Sequence, residues 1–393
     1  MENNVVNEHA TVASRTSVWV PVTGLTIFAI ASGYLMSLLP LSLVSHNIPT
    51  YAASWLASIF YVGLLLGSML IEPIIKRIGH RMAFIAFISL LAVSVGIMAV
   101  YTSLSVWLAA RFVAGIAVAG IFVVIESWLL IGDSKEERAK NLGLYMTSLY
   151  GGTTVGQFGI GLFGTTGMMP FMVVMALLAM SMMPAFMAKN AKPAVEEHIS
   201  LTWKQILGLS KPALIGCLVS GIVMGSIYGL LPLALRISET TSNNDQIGVL
   251  MAATVLGGMS IQPIVGKLSC RMSKSLLLAL VSILGVFAMG IYQLDQNYVT
   301  HIIALALLGM SAFALYPIAI TLACDGIESA SIVSATQIML FSYSVGSALG
   351  PVAAQYFMRH SLGLMGFFFV VLLATAIYML FVSMKTKPSV IAE

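Results

Sequence analysis

Charge is scarce in this 393-residue chain: Asp, Glu, Lys and Arg together make up 9% of it, while hydrophobic residues make up 59%. Soluble domains carry roughly 25% charged residues, so these charges cannot clothe a wholly water-facing surface. Cysteine is nearly missing. Cys217, Cys270 and Cys324 have neither metal-ligand spacing nor the pattern of a disulfide framework. There is no Gly-x4-Gly-Lys-Ser/Thr phosphate loop, so ATP is not the expected energy source. No basic stripe interleaved with aromatics marks a nucleic-acid face. No nucleophile–base–acid set gathers in the apolar segments, which argues against a membrane enzyme. All six histidines read as loop or tail residues, which leaves no histidine proton relay at membrane depth. Neither a cofactor nor a metal is expected.

What the chain does have is long apolar runs. Twelve of them fall at roughly 18–44, 51–75, 82–102, 104–131, 140–164, 167–188, 212–235, 246–268, 274–293, 299–324, 331–357 and 361–384. A helix needs about 20 apolar residues to cross a bilayer, and unpaired amides in lipid cost several kcal/mol each, so helix is the expected form. Alternating β-barrel patterning is absent. With both termini in the cytoplasm, the inner loops and tails hold 16 of the 19 Lys and Arg residues; only Arg236 and Arg359 fall outside, and Arg111 lies within a span. That bias sets the expected orientation in the membrane. Ala29-x-Ala31 mimics a signal-peptidase site, but apolar character runs on to Val44, too far for a signal peptide.

The polar stretch 189–211 divides the chain into an N-terminal six-span bundle, 18–188, and a C-terminal one, 212–384, flanked by cytoplasmic tails 1–17 and 385–393. Within that stretch, Leu201–Leu209 reads either as a short interfacial helix bearing Trp203 or as plain linker. The halves repeat each other. Residues 66–81 align with 256–271 at an offset of 190, with seven identities in sixteen; 36–43 align with 228–235 at 192, with five in eight. Gly152 and Gly156 match Gly346 and Gly350 at 194. Six spans per half make the repeat parallel, which places a substrate site between the halves near the midplane.

Four strings carry a resemblance over essentially the whole chain: 111–130, 225–235, 313–328 and 345–351, the last reading VGSALGP. In them the sequence resembles the major facilitator superfamily, and within it the bacterial YcaD-like branch. The resemblance implies an all-α membrane protein, with twelve transmembrane helices in two pseudo-symmetric six-helix bundles, acting as a monomer. The family loop between spans two and three usually reads Gly-x-Leu-Ala-Asp-Arg-x-Gly-Arg-Arg. Here Arg77, Gly79 and Arg81 fit, Glu72 replaces the first glycine and Lys76 replaces the aspartate. Arg271 keeps the pattern in the second half, again without the acid. Glu72, Asp325 or Glu328 is a candidate for the missing carboxylate of the cytoplasmic gate; the alternative is that the basic residues only fix topology. Arg111 and Gly115 match the family's Arg-x-x-x-Gly, whose arginine is linked to proton coupling in antiporters. Gly152 and Gly156 in span five resemble the antiporter glycine motif, here with Gln157 in place of proline and Ile160 in place of one glycine; span eleven carries Gly346, Gly350 and Pro351.

A charge within a span costs roughly 2.5–3.5 kcal/mol on insertion scales and is a functional candidate. Arg111 and Glu126, both in span four, qualify. Fifteen residues apart, they stand about 22 Å from each other along a helix and cannot pair. Arg111 either lines the cavity or snorkels outward. Glu126 is either a proton-binding acid or a carboxylate that reaches cytoplasmic water or a loop lysine. Tyr34, Ser37, Gly115, Gln157, Ser226, Tyr228, Tyr316, Gln337 and Tyr343 are the cavity candidates, and each alone also reads as glue between helices. Pro40, Pro73, Pro232, Pro263 and Pro317 are candidate hinges or static bends within spans.

The expected function is secondary active transport of a small organic molecule by alternating access. Proton-coupled export of a largely apolar or amphipathic compound leads. Proton-linked uptake of a small organic nutrient and a transport-inactive sensor or scaffold stand as alternatives. The expected partners are that small molecule, the proton as coupling ion and the lipid bilayer.

Overall fold

An amide that enters hydrocarbon must find its partner within its own segment, and the computed structural model of the chain is accordingly helical among the residues it describes: 18–129, 135–187, 210–238, 243–294, 297–325, 332–360 and 363–385. Twelve long helices run α1 Trp19–Ser42, α2 Ala52–Leu70, α3 Glu72–Val100, α4 Leu104–Leu129, α5 Lys135–Gln157, α6 Met169–Met187, α7 Lys211–Ile237, α8 Asn244–Leu268, α9 Lys274–Leu294, α10 Tyr298–Cys324, α11 Ile332–Met358 and α12 Gly363–Lys385. A short helix, Gly159–Phe163, continues α5. Ten of the twelve are long and apolar enough to cross a membrane. The two that fall short are α5 and α11, the fifth helix of each half, so the shortfall follows the repeat. The interfacial-helix candidate Leu201–Leu209 lies outside the described residues, as does Glu328.

Local chemistry starts and stops these helices. The side chains of Asn243 and Asn297 accept hydrogen bonds from the Gln246 and Val299 amides, both at 3.0 Å, and cap α8 and α10. Pro73 and Pro212 occupy the first turn of α3 and α7, where no partner for the amide is needed. Pro73 therefore starts a helix and is no mid-span hinge. Pro40, Pro232, Pro263 and Pro317 do lie inside helices. Ser226, Thr254, Ser282 and Ser344 return their hydroxyls to the carbonyl four residues back, which lets them sit in a dry interior.

α3 breaks where the sequence placed a loop. Gly79 adopts φ 76°, ψ 162°, so Glu72–Ile78 forms a separate turn of helix before the long span begins. That backbone region is essentially glycine's alone. Gly79→Ala should cost roughly 1–3 kcal/mol although its Cβ would meet nothing within 4 Å. A thermal unfolding midpoint equal to wild type would contradict this.

Two histidines depart from the loop assignment. His80 lies in α3 at 4% exposure, and His301 lies in α10 fully buried, stacked on Tyr292 at 3.9 Å. His80 falls in helix that extends past the apolar run beginning at 82, whereas His301 lies two residues inside the run 299–324 and belongs to the span itself.

The halves are built alike. In the first, α1 packs on α5 and α6, α2 on α4, and α3 on α4 and α6; in the second, α7 packs on α11 and α12, α8 on α10, and α9 on α10 and α12. Glycines set these pairs. A Cβ on Gly156 would overlap the Ile30 carbonyl, and one on Gly350 the Ile222 carbonyl; Gly152 and Gly346 face Thr26 and Leu218 in the same way. Gly63 meets Phe112 and Gly115 meets Phe60, while Gly257 meets Ala306 and Gly309 meets Thr254. Small residues here let backbones touch, which drives helix association in lipid. These contacts also correct one register. The sequence aligned Gly67 with Gly257 at an offset of 190, but Gly257 packs as Gly63 does, at 194. Between that core glycine and the loop arginine, Arg81 or Arg271, the second half is one helical turn shorter.

Twelve traverses put the start of α1 and the end of α12 on one face, the terminal face. Among the described residues, the contacts that join the halves gather toward the opposite face. There Gly229 of α7 meets Ala57 of α2 with Pro351 of α11 beside it, Gly161 meets Asp245, and Gly248 meets the Gln157 backbone. The Arg359 guanidinium stands 5.9 Å from the Tyr51 ring at the rim. At mid-depth the Tyr150 and Phe313 rings meet edge to face at 5.4 Å. Toward the terminal face, Glu126 of α4 and Gln337 of α11 are exposed. The halves thus close on one face and leave a cleft on the other.

Candidate substrate cleft

Arg111 projects from the second turn of α4 into a pocket shared with Met36, Leu39, Leu56, Phe60, Tyr61 and Tyr228, contributed by α1, α2 and α7. It is 7% exposed, its guanidinium carbon lies 4.1 Å from the Phe60 ring centroid, and its Nε has no hydrogen-bond partner. It faces the interior and does not snorkel. Among the described residues no carboxylate pairs with it. Tyr61 lies within electrostatic reach of Arg111 and of Tyr343, and Tyr228 within reach of Tyr61, Tyr150 and Tyr343. Phenol-bearing side chains from both halves therefore converge beside a buried cation. The Tyr316 and Tyr343 rings stack obliquely at 4.9 Å, and Phe313 bridges Tyr150 and Tyr228.

Glu126 sits far down α4 toward the terminal face. The Tyr145 hydroxyl of α5 donates to its Oε1 at 2.9 Å. Glu126 is exposed as a residue, its carboxylate is held by Tyr145, and Tyr316 of the other half lies within electrostatic reach.

Several candidates are occupied elsewhere. The Ser37 hydroxyl donates to Gln157 Oε1 at 2.5 Å, and Gln157 Nε2 donates to the Gly33 carbonyl at 2.9 Å. Both side chains are fully buried, so they bolt α1 to α5. The Tyr34 hydroxyl donates to the Gly164 carbonyl at 2.8 Å and ties α1 to the loop before α6. Ser226 bonds within its own helix, and Gly115 is filled by the Phe60 backbone. None of the five lines the pocket at Arg111. Tyr228 does, while Tyr316, Tyr343 and Gln337 lie on the second half's inner helices. Sequence reasoning missed Phe60, Tyr61, Tyr145, Tyr150 and Phe313. Their only signal is aromatic type at mid-span positions, which many lipid-facing residues share.

At the terminal face the gate candidates separate. Lys76, Arg77 and Arg271 are exposed. Arg81 Nη2 donates to the Phe186 carbonyl at 3.2 Å and so caps the end of α6. Asp325 receives Lys274 at 2.6 and 2.7 Å, which joins the start of α9 to the end of α10. That pair lies within one half and does not involve Arg271. The Glu72 side chain lies outside the described residues.

A duplicated twelve-helix body, closed on one face and open on the other around a lined cleft, is the architecture of a membrane transporter. Known proteins agree. The family model described as Major Facilitator Superfamily matches residues 22–351. An uncharacterised MFS-type transporter of Enterobacter sp. (strain 638) is 33% identical over 345 residues, 86% of this chain and 87% of its own. The uncharacterised MFS-type transporter YcaD of Escherichia coli O6:K15:H31 is 33% identical over 341 residues, 86% and 88% of the two chains. Among solved structures, a point mutant of the nucleoside transporter NupG superimposes with a TM-score of 0.75 at 11% identity, covering 93% of this chain and 98% of that one. A point mutant of the E. coli fucose:proton symporter FucP gives 0.62 at 12%, covering 94% and 98%. The chain belongs to the Major Facilitator Superfamily and is a multi-pass membrane protein of the secondary-transport class.

Proposed function

We propose that this protein exports a small organic molecule across the bacterial inner membrane by alternating access, in exchange for protons. It acts as a monomer with both termini in the cytoplasm. The halves 18–188 and 212–384, joined by 189–211, move as rigid bodies. The observation that carries this reading is the closure between halves on the face opposite the termini, with Glu126 exposed in the cleft on the other side. In this orientation the closed face is periplasmic and the structure faces the cytoplasm. Glu126 is the proton-binding acid. Each turn of the cycle would expose it to cytoplasm and then enclose it, and enclosure of a carboxylate favours its protonated form.

Accessibility tests the cycle. In a background free of Cys217, Cys270 and Cys324, Tyr228→Cys should react with a membrane-impermeant maleimide from the cytoplasmic side in inside-out vesicles. It should also react, more slowly, from the periplasmic side in right-side-out vesicles. Reaction from one side only, under every condition, would leave the scaffold reading in place. For coupling, proteoliposomes with an entrapped pH dye should report proton movement when members of a panel of small amphipathic acids, amines and neutral compounds are added. Glu126→Gln should reduce that movement tenfold or more. Unchanged proton movement in Glu126→Gln removes Glu126 from the mechanism.

A further inference from the structure

The buried charge at Arg111 has no structural reason to be there. The packing equivalence of α4 with α10 matches Gly115 to Gly309, and so Arg111 to Leu305. Leu305 is fully buried, and the second half packs the same helix pair with it. The fold therefore accepts a leucine where the first half keeps a cation. A buried cation is costly unless something pairs with it. Here the guanidinium has one aromatic face, an Nε without a partner and no carboxylate among the described residues. Two phenols that make no hydrogen bond to described protein groups, Tyr61 and Tyr228, face the same pocket. A guanidinium with phenol donors is a recognition set for an oxyanion, and arginine's planar fork fits a carboxylate in particular. The rest of the wall is apolar: Met36, Leu39, Leu56 and Ala57.

We infer that Arg111, with Tyr61 and Tyr228, is a carboxylate seat, and that the transported compound is a small organic acid with an apolar body lying against α1 and α2. The inference rests on the transport reading for the word transported, but the seat itself does not. The arriving carboxylate supplies the missing counter-charge. Tyr228 comes from the second half, so an occupied seat bridges the two bundles at the depth where they must separate. Arg111 is then a binding residue and Glu126, some 22 Å away along α4, the separate proton carrier.

The test uses the full-length protein purified in detergent at neutral pH. Benzoate, 1-naphthoate and octanoate are compared with their amides and with sulfate. At least one acid should raise the unfolding midpoint by roughly 3 °C or more, and its amide should not. Arg111→Leu should lose this shift while the ligand-free protein unfolds at or above the wild-type midpoint. Arg111→Lys should keep a weakened shift. As a readout that leaves Arg111 in place, alkylation of Met36→Cys should slow severalfold in the presence of the stabilising acid. Equal shifts by acid and amide, an undiminished shift in Arg111→Leu, or no shift with any acid would each overturn the seat. A response to sulfate alone would show a nonspecific anion effect and would also overturn it. Should acids bind through Arg111 while Tyr228→Cys stays reactive from one side only, the seat stands and the transport reading falls. Should Met36→Cys, which leaves the three polar seat groups in place, become reactive from each side in turn with no dependence on acids, the reverse holds.

Discussion

Gly156→Leu should remove most folded protein from the membrane, whereas Gly151→Leu, five residues earlier on the same helix, should leave it at wild-type level. The contrast follows from what each glycine faces. A Cβ at Gly151 would meet nothing within 4 Å. At Gly156 even a methyl would overlap the Ile30 carbonyl and press on the Tyr34 amide, so a leucine requires α5 to back away from α1. Overpacking in a tolerant core costs about 1–3 kcal/mol; here the obstacle is backbone, which cannot change rotamer. Separation of the helices also breaks the Ser37–Gln157 and Gln157–Gly33 hydrogen bonds, each worth about 0.5–1.5 kcal/mol. The sum is a large share of the roughly 5–15 kcal/mol that holds a typical protein folded. Monodisperse yield in fluorescence-detected size exclusion, with the unfolding midpoint, reads the result. A Gly156→Leu protein that matched Gly151→Leu in both would show that the α1–α5 contact is not a close one.

The features most legible in the sequence were those set by the solvent. Lipid demands long apolar runs and internally bonded backbone, so twelve helices could be read from composition and spacing alone. The glycine pairs were legible for a related reason. Gly152, Gly156, Gly346 and Gly350 recur at a fixed offset because close packing of α1 on α5 and of α7 on α11 allows nothing larger. Register was less secure: apolar strings align well in several phases, and Gly67 was matched to Gly257 where packing matches Gly63. The site was the least legible. A polar side chain in a span reads the same whether it faces substrate or another helix. Ser37 and Gln157 satisfy each other, Tyr34 reaches a loop carbonyl, and only their partners in space reveal it. Conversely Tyr61 and Tyr150 looked ordinary until α2 and α5 brought them beside Arg111 and Tyr343. Arg111 was visible because a charge in a span has no cheap explanation; its lack of a partner was not, because that depends on every other helix.

Gly229→Trp should arrest transport and reverse the side from which the pocket is reached. Gly229 sits where α7 meets α2 of the other half, against Ala57 and with Pro351 alongside. A tryptophan there clashes with the first half only while that face is closed. In the proposed cycle the two helices belong to bodies that part on that face, and the open state relieves the clash. The substitution therefore acts on the difference between two states, which is what shifts a population. A clash of about 3 kcal/mol would move the ratio of states by roughly a hundredfold, and inversion from 1:99 to 99:1 needs about 5.5 kcal/mol. Met36→Cys in the same pocket reports the change. Its alkylation from the face opposite the termini should rise tenfold or more, and alkylation from the terminal face should fall. Gly143→Trp, at a site with no neighbour within 4 Å of an added Cβ, should change neither. A folded, monodisperse Gly229→Trp protein labelled as wild type from both sides would mean that the contact at Ala57 is no gate. The closed face would then be a fixed wall, and the cleft a one-sided vestibule.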